Sequence, residues 1–295
     1  MFKSIEFIKT ALVEKIIANL NEFNAIWNPN YLPIKSFNFK TNKAYMGCNQ
    51  ILLSIWGSQY KDPRWLTFNQ AKSLDLKIKK SAKPISLIYY GQQKPDLSES
   101  KVIKVFDVFN ALQIENMPPL ENTQIKMTKK LLNVFIDKIL DISPVKIVLS
   151  LIDKTPCYKP LQKNVVNQIN LPLKTKTESS GAMLSLLIHE LSHASKWQNQ
   201  NNQINENPWY SEKDYAFEEL VVALTQMYVF QEYNIKPIGF DHKPYSKYWI
   251  ELLKNDGEML FLAVNKAAIA FNWLKQNILV QAQNVIYERN KQDNE

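Results

Sequence analysis

The chain has 295 residues, of which 45% are hydrophobic, 22% charged and 12% aromatic, and its formal net charge is +8. That apolar load excludes a disordered chain and can fill about two ordinary domains. No run approaches the ~18 apolar residues of a spanning helix, so no membrane partner is expected. Only 6 glycines are present, against the ~20 of average usage, which excludes Gly-rich phosphate loops.

In chain order, the first twenty residues carry Glu6, Lys9, Glu14 and Lys15, which interrupt any signal-peptide core and fit an amphipathic helix. A Pro/Asn-rich connection follows at 27–38, then a helix over 49–60 closed by Lys61-Asp62-Pro63. Thr67 is placed to cap a short helix, and 77–90 reads as a basic turn leading into a strand. A polar loop at 91–100 precedes the clearest strand, 101–109, and the two prolines of 115–123 mark a linker. The expected N-terminal domain is α+β and spans 1–118. The expected second domain, 119–285, is mostly helical, with helices at 127–140, 182–197 and 214–233 and a strand at 145–152. Polar loops are expected at 198–213 and 237–248, two further helices within 246–285, and a frayed charged tail at 286–295. Two cysteines, Cys48 and Cys157, make no disulfide framework and suit a reducing compartment, so a soluble cytoplasmic protein is expected.

The charge is unevenly placed. Residues 35–104 hold 13 Lys/Arg against 4 Asp/Glu, a density that points to a polyanion. Aromatic residues are interleaved with it: Tyr31, Phe37, Phe39, Tyr45, Trp56, Tyr60, Trp65, Phe68, Tyr89 and Tyr90. Single-strand binding combines a cationic track with rings on which bases stack. Trp56 and Phe68 lie on apolar helical faces and are assigned to the core. Tyr45, Arg64, Trp65 and the cluster Lys77, Lys79, Lys80 and Lys83 are the surface candidates. No duplex-reading motif occurs, so single-stranded DNA is the expected partner.

Of three histidines, two form His189-Glu190-Leu191-Ser192-His193, flanked by Leu184, Leu187 and Ile188 at helical spacing. Positions i and i+4 share a helix face, so His189 and His193 can hold one metal while Glu190 takes a proton from water. Zinc needs a third protein ligand. The helix beginning near Asp214 offers Glu219, with Glu218 as the alternative.

Both halves resemble the ArdC-type antirestriction proteins of plasmids, phages and conjugative elements. The likeness rests on AYMGCNQILLSI (44–55), DPRWLTFNQAKSL (62–74), KIKKSAKP (77–84) and VFDVFNALQI (105–114). It continues through LLIHELSHAS, YAFEELVVALTQMY (215–228), PYSKYWIELLKND (244–256) and AVNKAAIAF. It covers roughly residues 8–275 in unbroken motif order. The resemblance implies an N-terminal single-stranded-DNA-binding domain with Tyr-x-Gly-x-Asn and Trp-Leu-Thr-x-x-Gln-Ala signatures, which adds Asn49 to the DNA-binding candidates. It also implies a zincin-type metallopeptidase domain holding one Zn2+ on His189, His193 and Glu219, with Glu190 catalytic. The implied role is protection of incoming mobile-element DNA from host restriction, with a host protein as substrate. Three departures stand out: Lys80-Ser81-Ala82 replaces Lys-Gly-Glu, the residues after His193 lack the family's Gly-His, and Ala223 replaces an acid. The last favours an alternative, a non-enzymatic DNA-binding protein with a structural or vestigial metal site.

Overall fold

The computed structural model describes residues 4–22, 34–92, 101–121, 127–151, 155–160, 167–174, 177–198, 211–236, 238 and 243–292. Tyr31, His242 and most of the polar loops expected at 91–100 and 198–213 lie outside them. The chain is α+β and divides into two compact units, one of Met1–Trp27, Pro33–Gln124 and Leu253–Phe261, the other of Asn28–Leu32, Ile125–Leu252 and Leu262–Glu295.

In the first unit, helix α1 (Ile5–Glu22) buries Ile8, Leu12, Ile16 and Leu20, one residue per turn on one stripe. Strands β1 (Phe37–Asn38), β2 (Lys43–Ala44) and β3 (Arg64–Thr67) join the long hairpin of β5 (Ile85–Gln92) and β6 (Lys101–Asn110) in a sheet ordered β2-β1-β3-β6-β5. Only the β1–β3 pairing is parallel. Strands β4 (Lys77–Ile78) and β7 (Ile114–Glu115) form a separate antiparallel pair. Helix α2 (Gly47–Trp56) opens on Gly47 at φ 61°, a backbone that other residues seldom adopt. It ends at Gly57, where an added Cβ would stand 2.4 Å from the Leu53 carbonyl oxygen and 2.8 Å from the Trp65 ring.

Two side-chain devices lock this unit. Asn49 on α2 donates from Nδ2 to the Ile88 carbonyl (2.7 Å) and accepts the Ile88 N–H at Oδ1 (2.9 Å), clamping the helix to β5. Helix α3 (Phe68–Lys72) starts at Thr67, the expected cap, and the structure adds the reciprocal bond of a capping box: Thr67 Oγ1 accepts from the Gln70 N–H while Gln70 Oε1 accepts from the Thr67 N–H. Asn38 Nδ2 donates to that same Gln70 oxygen at 2.8 Å and faces the Tyr45 hydroxyl at 3.3 Å.

Helix α4 (Lys129–Ile142) opens the second unit, capped by Thr128. Strands β8 (Lys146–Ser150), β9 (Cys157–Lys159) and β10 (Gln168–Pro172) form a sheet ordered β8-β10-β9, parallel at β8–β10 and antiparallel at β9–β10. Helices α5 (Ser180–Gln198) and α6 (Glu212–Glu232) are buried almost all round. Helices α7 (Lys243–Asn255), α8 (Glu258–Leu274) and α9 (Val280–Gln292) follow, the last two joined through a π-helical turn at Lys275–Leu279. Trp249 of α7 is fully buried and donates from Nε1 to the Ala216 carbonyl.

Several expectations are corrected. The loop expected at 237–248 turns helical at Lys243. The tail expected from 286 is helical through Gln292, because Ile286 and Ala282 are buried one turn apart and carry α9 onward. Strand β3 and the short strands β9 and β10 carry too few residues to show alternation. Phe68, assigned to the core, is 61% exposed, because α3 is too short to present a full apolar face; Trp56 is half-buried. Among the described residues no helix is long and apolar enough to cross a membrane.

Removing the Asn49 clamp strands a backbone N–H and a C=O together. Asn49→Ala should therefore cost about 1–3 kcal/mol in urea unfolding, whereas Asn69→Ala on the exposed face of α3 should cost little.

Candidate metal centre

Helices α5 and α6 pack along their lengths in antiparallel register. At one end Gln226 Nε2 donates to the Ser185 carbonyl (2.8 Å), and at the other Lys196 Nζ meets Glu218 Oε2 (3.1 Å). Between these ties lie His189 and His193 on α5 and Glu218 and Glu219 on α6. The two Nε2 atoms are 3.2 Å apart. Glu219 Oε1 lies 3.3 Å from His193 Nε2, and Glu219 Oε2 lies 3.7 Å from His189 Nε2. Ligand atoms held ~2.0–2.1 Å from one tetrahedral ion stand about 3.4 Å apart, so the three side chains are already spaced to share a divalent cation. They are the one such group of three among the described residues. Two imidazole nitrogens and a carboxylate suit zinc and other borderline divalent metals.

Glu218 does a different job. Its Oε1 is 3.6 Å from His193 Nδ1 and its Oε2 pairs with Lys196, so it stands behind the imidazole and orients it. A second tie comes from Tyr215, one turn before Glu219, whose phenol hydrogen-bonds to the Glu219 carboxylate. The Tyr215 hydroxyl lies 3.4 Å from that of Tyr245, whose ring stacks on Trp249.

The electrostatics follow from burial. His189, Glu190, His193, Glu218 and Glu219 are each less than 8% exposed. Burial alone would lower the His193 pKa, but the Glu218 and Glu219 carboxylates beside its two ring nitrogens override it and push it up to about 10. Burial likewise would raise both carboxyls, and the same imidazole, with Lys196 beside Glu218, holds them below the usual carboxylate range. Glu190 has no such partner. Burial raises it to about 7, reinforced by Glu219 and opposed by His193 and by a hydrogen bond from the Tyr158 N–H on β9. A carboxyl that can gain or lose its proton near neutrality suits a general base, and a divalent cation beside it would favour the ionised form.

The candidates in the first unit separate into two groups. Arg64 and Trp65, expected at the surface, are 5% and 2% exposed, which corrects that reading. Arg64 is bound by Asp62 at 2.7 Å and by the Pro118 carbonyl. Trp65 donates from Nε1 to Ser36 Oγ and meets Tyr60 edge-on. The charge and ring are consumed inside the fold. Tyr45 and Asn49 are half-buried and engaged by Asn38 and Ile88. Lys77, Lys79, Lys80 and Lys83 are exposed on the β4 turn. Lys79 Nζ donates to the Leu112 carbonyl, and Lys77 meets Glu115 only at 3.9 Å. Sequence reading missed the parts played by Tyr215, Lys196 and the Tyr158 N–H. The first two sit one turn from a ligand on the same helix, a spacing that could have flagged them; the third depends on β9, which sequence reading did not identify.

A family described as the N-terminal domain of anti-restriction factor ArdC matches residues 6–135, and one described as a zincin-like metallopeptidase matches 136–266. A DNA primase TraC of Escherichia coli is 27% identical over 289 residues, covering 89% of this chain and 26% of that protein. The chain thus spans about a quarter of the length of that relative. The uncharacterized protein y4eC of Sinorhizobium fredii is 20% identical over 288 residues, covering 91% of this chain and 90% of its own. The Mn(II)-bound crystal structure of the antirestriction ArdC protein from the R388 plasmid superposes with a TM-score of 0.73 at 22% identity, over 91% of this chain and 97% of that one. Its metal-free structure gives 0.71, also at 22% identity, over 94% and 98%. These two share the fold.

Two outcomes test the centre. His193→Ala should abolish stoichiometric metal measured by elemental analysis, and Glu218→Gln should weaken metal affinity by about 10–100-fold, the usual effect of losing a partner that orients a ligand. A metal must also displace the His193 proton. Titration with Mn(II) or Zn(II) at pH 7 should release about one proton per ion, and affinity should climb as pH rises toward 10. In metal-free protein the sign reverses. The folded pKa of His193 exceeds its unfolded value, so its charge stabilises fully below about pH 6.5 and that contribution is lost as pH rises through about 10. Melting at pH 7 and pH 10 with and without metal checks both.

Proposed function

Since the chain is an ArdC-type protein, with the N-terminal ArdC domain followed by a zincin-like domain, we propose that it binds single-stranded DNA and carries a zinc peptidase centre. In this reading it protects incoming mobile-element DNA from host restriction in the cytoplasm and acts on a host protein. The observation that carries the enzymatic half is the convergence of His189, His193 and Glu219 with Glu190 as the next residue along α5. A divalent cation held there supplies Lewis acidity toward water and a scissile carbonyl. Glu190 takes the proton of the attacking water on its carboxylate and returns it to the departing amine. Tyr215 keeps Glu219 facing the imidazoles, while Glu218 and Lys196 keep His193 turned inward. Strand β9 is a sheet edge, and its Tyr158 N–H holds Glu190. An extended peptide is the substrate form that pairs with such an edge.

The DNA half is supported by the four exposed lysines on and after β4, Lys77, Lys79, Lys80 and Lys83. Lysines on a turn contact phosphates without reading sequence. A non-enzymatic reading, in which the metal only stabilises the second unit, is favoured by Ala223 and by the deep burial of all three donors.

Glu190→Gln separates the two readings because it spares the ligands. It should retain metal and DNA binding while losing peptide hydrolysis and protection of transferred DNA; undiminished protection would establish the non-enzymatic reading. Changing Lys79, Lys80 and Lys83 to Ala should lower the slope of log affinity against log salt by about 2–3 for a single strand, read by fluorescence anisotropy.

A further inference from the structure

The first unit contains a cavity of about 220 Å3 between α1, the end of α2 and the start of β5. Its apolar walls combine three rings, Phe7 of α1, Trp56 in the last turn of α2 and Tyr60 just beyond, with aliphatic groups of α1 and the start of β5. None of the three is fully buried, and Phe7 is 56% exposed. Each thus keeps ring surface outside the core, although Tyr60 also packs edge-on against Trp65. Gln59 and Lys83 line the cavity as exposed polar and cationic groups, and Ser86 lines it with its hydroxyl donated to Asp107 Oδ1 at 2.7 Å. Lys83 ends the turn that carries Lys79 and Lys80, and its carbonyl accepts from Gln113 Nε2, fixing that end of the turn beside the cavity.

We propose that this cavity captures one unstacked base of a single strand, whose neighbouring phosphates lie on Lys83, Lys80 and Lys79. The inference rests on the DNA-binding reading above and adds a site to it. The ligand must have apolar faces, to lie against the rings, and a hydrogen-bonding edge, to meet the Gln59 amide at the rim. It must also belong to an anion, to match the lysines. A nucleobase on a phosphate backbone meets all three conditions. An acyl chain has no planar face to stack on the rings, and a free aromatic side chain would bring no negative charge. The site is read by shape and stacking, so it accepts any base.

The test compares a fluorescent oligothymidylate with an abasic strand of equal length and charge, using the full chain and its variants. The unmodified protein should bind the base-bearing strand about tenfold more tightly. Trp56→Ala should bring the two affinities together, and Gln59→Ala should narrow the gap in part. A strand carrying 2-aminopurine, bound to the unmodified protein, should report ring stacking as quenching, so the site is tested even where Trp56→Ala does not fold. No base preference and no quenching would overturn the proposal while salt-sensitive binding of both strands upheld the DNA reading. A Trp56→Ala protein that kept the full preference would also overturn it, by placing the base elsewhere. Failure of both strands to bind at low salt would remove the DNA reading and this site with it.

Discussion

The cost of burying charge organises the second unit. A carboxylate withdrawn from water without a partner costs several kcal/mol, and α5 and α6 together bury Glu190, Glu218 and Glu219. Glu218 and Glu219 are tolerated because the two helices meet in a register that sets both against His193, with Lys196 beside Glu218 and Tyr215 beside Glu219. The tie from Gln226 to Ser185 fixes that register in otherwise apolar surroundings. Glu190 has no such pairing, and burial raises its pKa against the opposing effects of His193 and the Tyr158 N–H. Structural necessity and chemical capacity have one source: carboxylates and imidazoles dense enough to need one another are spaced to share a metal.

The first unit solves a different problem, joining short strands and helices with few glycines. Its signature residues serve that end. Tyr45 is met by Asn38, Gly47 supplies the left-handed residue that opens α2, and Asn49 clamps β5. Trp65 and Leu66 are core, Thr67 and Gln70 close the capping box, and Ala71 packs against Leu66 and Ile114. Residues that make the two halves recognisable are those the fold cannot do without. In the proposed reading, nucleic-acid contact falls to less distinctive lysines, whose task is met by charge and position.

This division explains which sequence inferences held. The cap at Thr67, the strand at 101–109 and helices α4, α5 and α6 are local matters of propensity, periodicity and hydrogen bonding to near neighbours. All were legible to within a few residues. Arg64 was misplaced because its partners include the Pro118 and Pro119 carbonyls, more than fifty residues away. Trp65 was misplaced because Ser36, its hydrogen-bond partner, comes from the segment before β1. No window of sequence contains such pairings.

By itself the sequence determined the facing pair of histidines on α5, because a helix fixes the i and i+4 spacing whatever surrounds it. It also determined the excess of cations in the first unit and the presence of two adjacent glutamates on α6. Only the tertiary structure decided between those glutamates. One residue is a turn of about 100° on a helix, so the register of α6 against α5 directs Glu219 at both Nε2 atoms and leaves Glu218 behind His193. Tertiary packing likewise decided which aromatics are walls of a cavity and which are core, because that depends on what the other helices and strands place against them.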